Sequence, residues 1–197
     1  MQQHSFRSLR KMLIAFRAAA HMNEDDGEQG TGLDTKYTIP SAEVFNKLVL
    51  TALKFTPVVL AHHAPYKTLP NGRIKLQATK KSAPANLDRL ILSHFSTLLH
   101  LIKSLPSTPS AIAGEDHSEA GSLLTMAVTE STKLLPWVLG ARKHLRAYLK
   151  VLLDLWSSAS DSVRIAAFLA IRKMFVAGDE AIKDACLKVS YDLYNWS

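Results

Sequence analysis

Between Asp161 and Phe175 the apolar residues fall on two faces of a helix instead of one. Val163, Ala166, Ala167, Ala170, Ile171 and Met174 make one stripe at helical spacing; Ile165, Phe168, Leu169, Phe175 and Val176 make a second. A narrow polar strip remains for Arg164, Arg172 and Lys173. A helix patterned in this way is expected to be sandwiched between neighbours. Ser160 stands where an N-cap belongs, and the carboxylate of Asp161 favours the positive helix end.

The same period organises the rest of the chain. Phe6, Leu9, Leu13, Phe16 and Ala20 predict an amphipathic helix over Ser5 to Met22 with a basic opposite face. After Pro40 and Ser41 the signal resumes through Val44, Phe45, Leu48, Val49, Ala52 and Phe55. Pro57 predicts a break or kink near Lys54 to Thr56, with a short continuation to His62. A long helix follows from about Pro84 to Leu105, carrying Leu87, Leu90, Ile91, Phe95, Leu98, Leu99 and Ile102 toward a core. Another starts at Ser118 or Gly121 and runs toward Leu135, where Pro136 interrupts it and Trp137, Val138 and Leu139 anchor the turn. Leu145, Tyr148, Leu149, Leu152, Leu155 and Trp156 define a helix from Ala141, joined by a short Ser-rich turn to the two-faced helix. Asp179 to Trp196 supplies the last, with Ile182, Ala185, Cys186, Val189, Leu193 and Trp196.

The segments between these helices read as loops at about 23–36, 64–83 and 106–117. The second contains Pro65, Pro70 and an Asn71-Gly72 turn signal, and is expected to be an exposed connection more than a strand pair. No period-2 alternation of strand length occurs, so the fold is expected to be all-α, an α-solenoid of stacked antiparallel helices. At 197 residues and 47% hydrophobic, the chain can bury roughly 70% of its unfolded surface in a single helical module without disulfide or metal support. Neither end resembles a polar capping repeat, and a piece of a longer protein is expected.

Charge narrows the class of partner. The formal net charge of +7 includes Glu24, Asp25, Asp26, Glu28 and Asp34, which lie in one Gly-rich stretch without Lys or Arg; without them the remainder carries +12. The cations cluster as Arg7, Arg10, Lys11 and Arg17, as Lys67, Arg73, Lys75, Lys80 and Lys81, and as Arg142, Lys143, Arg146 and Lys150. Such an excess favours RNA, phosphate-rich assemblies or acidic proteins. A single cysteine, Cys186, excludes an intramolecular disulfide and suits a reducing compartment. Met12 to Ala20 is broken by Arg17 and followed by acids, so neither a signal peptide nor a membrane span is expected.

Candidate chemistry is sparse. His62-His63 are adjacent instead of four apart and have no Cys or carboxylate near in sequence, so a metal site is not expected. Cys186 shares a stripe with Ile182 and Val189, the pattern of a buried small hydrophobe and not a nucleophile. No phosphate loop, nucleophile elbow or acidic pair occurs, and the chain is expected to be non-enzymatic, with no cofactor and no small-molecule substrate. Arg142, Arg146 and Lys150, spaced by four, together with Lys143, and secondarily Lys80 and Lys81, fit phosphate contacts; a solvated helix face fits the same pattern. Without an RRM-like aromatic platform or a KH-like loop, any RNA contact would be backbone-directed and salt-sensitive. Arg164, paired with Asp161 or Asp154, fits a structural bridge between adjacent repeats.

The Asp-x-Val-Arg opening at 161–164 resembles the inner helix of a HEAT or armadillo-like repeat. Ordered stretches also resemble the nucleolar complex protein 2 family: Met12-Leu-Ile-Ala-Phe-Arg-Ala-Ala-Ala-His21, Tyr37-Thr-Ile-Pro-Ser-Ala-Glu-Val-Phe-Asn46 continuing through Leu60-Ala-His-His63, the Leu145 to Trp156 helix, Ser162-Val-Arg-Ile-Ala-Ala-Phe-Leu-Ala-Ile-Arg172, and Cys186-Leu-Lys-Val-Ser-Tyr191. The acidic stretch from Asn23 to Asp34 departs from the family pattern. The resemblance implies the N-terminal part of a helical body in a nuclear, nucleolar and nucleoplasmic assembly factor for the large ribosomal subunit. It further implies nucleolar complex proteins 1 and 3 as protein partners on pre-60S particles and no catalytic residues; pre-ribosomal RNA as a partner rests on the basic helix faces alone.

Overall fold

The computed structural model describes residues 5–22, 39, 41–77, 86–107 and 116–194. These fall into two compact units, 1–63 and 64–197. Helix is the dominant element in both.

The first unit contains α1 (Phe6–Ala20) and α2 (Ala42–His63). The Ser5 hydroxyl accepts from the Ser8 amide at 3.4 Å and caps α1, which buries Leu9, Leu13, Phe16, Ala19 and Ala20 as its period predicts. Arg7, Arg10, Lys11 and Arg17 stay on its exposed side. In α2 the buried face consists of Val49, Ala52, Leu53, Thr56, Pro57 and Leu60, while Val44 and Phe55, expected inside, are exposed. No break occurs at 54–56: α2 continues through Pro57 for its full 22 residues. The proline removes one amide donor, but its ring is buried, and the neighbouring Thr56 hydroxyl donates to the Ala52 carbonyl at 2.6 Å. Among the described residues α2 is the one helix long and apolar enough to cross a bilayer, and it packs against α1.

The second unit opens with a hairpin, β1 (Tyr66–Thr68) against β2 (Ile74–Leu76), paired Tyr66↔Leu76, Lys67↔Lys75 and Thr68↔Ile74. The sequence reading expects a loop here, and the Asn71-Gly72 signal is what closes the strand pair. Asn71 Oδ1 accepts from the Arg73 amide at 3.1 Å, and Gly72 supplies a φ of 80°. Trp137 fastens the hairpin, donating from Nε1 to the Ala64 carbonyl at 2.8 Å and meeting the Tyr66 ring edge-on at 5.3 Å.

Helices α3 (Leu87–Ser104), α4 (Asp116–Ser131), α5 (Leu135–Val138), α6 (Arg142–Ser158), α7 (Asp161–Ala177) and α8 (Glu180–Tyr194) follow. A 3-10 turn over Thr132–Leu134 bridges α4 and α5, so Pro136 sits in the first turn of a new short helix where its missing donor is harmless. The core is built from Phe95, Leu98, Leu101, Ile102, Leu124, Leu135, Leu149, Leu152 and Met174 around a fully buried Tyr148. Ser131 donates to the Val128 carbonyl and shares a second bond with the Tyr148 hydroxyl, both 2.6 Å long. Since the serine proton is committed to Val128, Tyr148 is the donor to Ser131, and its polar tip is satisfied inside the core.

Helix α7 packs on α6 and α4 through Val163, Ala166, Ala167, Ala170, Met174 and Ala177. Four of these are alanine, whose small side chains let the helix axes approach closely. Ser160 is extended and precedes the helix as expected, but its side chain makes no capping bond; its amide donates instead to the Ser107 carbonyl at 3.0 Å.

Candidate functional site

The second stripe of α7 is not sandwiched. Ile165 is 61% exposed, Phe168 and Leu169 are each 51% exposed, and Val176 is also open, while Phe175 is half-buried. The sequence predicts that this face is apolar, and the structure corrects the expectation that this chain covers it. Near its C-terminal end the hairpin turn approaches, because a side-chain carbon at Gly72 would lie 2.5 Å from Val176 Cγ1. Trp156, at the end of α6, is 48% exposed. Exposed aromatic and aliphatic residues at i, i+3, i+4 and i+11 form the sort of ridge that seats against another helix.

The N-terminal half of α6 carries a basic side. Arg142, Lys143, Arg146 and Lys150 are all exposed and lie within about 100° of arc on an ideal helix. None of the four forms an ion pair among the described residues. The α6 acid, Asp154, lies a turn beyond Lys150, so the start of the helix is uniformly cationic. The dipole disfavours that arrangement, since positive charge here meets unsatisfied amide donors. Lys80 and Lys81 lie outside the described residues.

Arg142 and Arg146 also line a cleft between α6, α7 and α8. Its apolar lining includes Leu145, Leu149, Met174 and Ile182. The cleft holds about 40 Å³, room for one side-chain tip. Cys186 is buried at its side, and burial pushes the thiol pKa up, away from thiolate reactivity.

Arg164 donates from Nε to the Trp156 carbonyl at 3.1 Å and reaches Asp161 Oδ1 at 3.5 Å. Both ends of the ion pair are open to solvent, so the contact to the α6 carbonyl contributes more to holding the α6–α7 turn than the charge pair does. His63 meets Phe6 edge-on at 5.9 Å and His62 at 5.1 Å. Among the described residues no three His, Cys, Asp or Glu side chains gather as a metal site. Sequence reasoning finds the cations but misses the cleft, because its walls come from three helices whose contacts leave no local signal.

The comparisons with known proteins cover nearly the whole chain. No family model matches it. An uncharacterized NOC2 family protein of Schizosaccharomyces pombe is 29% identical over 189 residues, 95% of this chain. The nucleolar complex-associated protein 2 of Arabidopsis thaliana is 23% identical over 188 residues, 94% of this chain. Over nearly its whole length the chain is similar in sequence to these two NOC2 proteins. It spans about a quarter of their length, 24% of the fission-yeast protein and 22% of the plant one.

Proposed function

We propose that the chain is a non-enzymatic scaffold module of a nucleolar and nuclear ribosome-assembly factor, acting in large-subunit biogenesis on pre-60S particles. Its helix pairs stack in the HEAT-like manner, and its protein partners are nucleolar complex proteins 1 and 3. The names of its NOC2 relatives support the nucleolar setting. The observation that carries the scaffold reading is the open face of α7, where Ile165, Phe168 and Leu169 present anchors of the kind that dominate protein interfaces.

The test is capture of nucleolar complex proteins 1 and 3 by this chain, with and without nuclease, at about 0.15 M salt and above. Retention is expected to survive both treatments. The Phe168→Asp, Leu169→Asp double variant should lose it while keeping its helical circular dichroism and melting temperature, because both side chains are already half-exposed. Retention by that variant would remove α7 from the interface.

A second reading, sequence-nonspecific contact with pre-ribosomal RNA, is favoured by the α6 cations, which form no ion pair among the described residues. On that reading log affinity falls steeply with log salt, and charge reversal at Arg142, Lys143 and Arg146 abolishes capture.

A further inference from the structure

The geometry points to a second docking element, distinct from the α7 face: the cleft between α6, α7 and α8 receives an acidic amphipathic helix of a partner protein. This rests on the reading of the chain as a scaffold module. It adds a site and the chemistry of its occupant.

Charge complementarity carries the argument. Arg142 and Arg146 are the charged side chains that line the cleft, and neither is neutralised by an acid among the described residues. They stand one helical turn apart, about 6 Å along the axis. Directly beneath them the surface turns apolar at Leu145, Leu149, Met174 and Ile182. A strip of two cations beside an apolar hollow has a simple complement. Glutamates at i and i+4 of a partner helix repeat the spacing of the arginines, and a leucine at i+3 sits on the adjoining row, positioned to enter the hollow. The half-exposed Trp156 stands at i+14 from Arg142 on the same side of α6, with the buried Leu149 between them. A phosphate backbone would use the arginines alone and leave the apolar hollow unfilled.

The probe is a synthetic helix of roughly 16 residues with Glu at i and i+4 and Leu at i+3, compared with a control in which that Leu is Ser. A labelled single-stranded RNA is titrated in parallel. The protein is the full chain, as wild type, as Arg142→Gln with Arg146→Gln, and as Ala181→Leu. Ala181 is exposed and lines the cleft, so a leucine there plugs the hollow without entering the core.

The wild type should bind the Leu helix with at least roughly tenfold lower Kd than the Ser control. Ala181→Leu should lose that tenfold preference with an unchanged melting temperature and unchanged RNA affinity. The double Gln variant should weaken peptide binding by a similar factor and flatten its salt dependence. Equal binding of Leu and Ser helices, or indifference to Ala181→Leu, would overturn the cleft as a helix site; RNA binding alone among the probes would reassign the arginines to phosphate. Each of those failures leaves capture through Phe168 and Leu169 to be judged by its own experiment.

Discussion

His94 is a buried residue with a consequence in solution. It lies on α3 at 4% exposure, and desolvation lowers its pKa from 6.5 to about 4. Below pH 6.5 the unfolded chain takes up a proton that the folded chain refuses, so stability is full above that value and falls as the pH approaches 4. The loss by pH 4 is roughly 3 kcal/mol, and thermal melts should record it as a declining Tm. In His94→Leu the decline should be shallower; an unaltered slope would assign the acid sensitivity elsewhere. At this scale the sequence is partly legible. Spacing alone places Tyr148 on the buried stripe of α6, but its partner Ser131 is 17 residues away and is found only once α4 and α6 pack. The same holds for Trp137, recognisable as an anchor, whose acceptor at Ala64 is 73 residues distant.

Among the elements, helices are legible wherever one stripe of apolar residues meets a polar remainder, as in α1, α3 and α6. Two elements depart from their local signals. Pro57 marks a helix end by its backbone chemistry, yet its burial with Val49, Leu53 and Leu60 offsets the lost hydrogen bond. The hairpin is the reverse case, because strands of three residues are too short for alternation to register. Its turn is held to one residue type. At Gly72 an L side chain would meet both a positive φ and the methyl of Val176 at 2.5 Å. Gly72→Ala should therefore destabilise by about 2 kcal/mol, the usual cost of a left-handed L-residue plus the contact. In a Val176→Ala background the increment should shrink, since only the conformational part remains, and a double-mutant cycle by urea unfolding measures the difference. A cycle without coupling would mean that the turn moves away from α7 at no cost.

For the whole molecule, the helical class follows from periodicity, while the exposed face of α7 does not. Periodicity reports that a face is apolar and is silent on what covers it. Likewise the row Arg142, Lys143, Arg146 and Lys150 is visible in the sequence, but the hollow beside two of its members requires α8 in place. The division at His63 carries its own prediction: residues 64–197 expressed alone should unfold cooperatively and keep the His94 titration, because the core around Phe95 and Tyr148 lies within that unit. A non-cooperative melt of 64–197 would make the first unit a required part of that core. Within this larger unit, the amide of Ser160 reaches the carbonyl of Ser107 across more than fifty positions of chain. Both atoms are main chain. Side-chain exchange at either position leaves this clasp between the exit of α3 and the α6–α7 turn intact, and only proline at position 160 deletes its donor. Divergence of the side chains at these two positions can thus proceed while the clasp between the two segments stays in place.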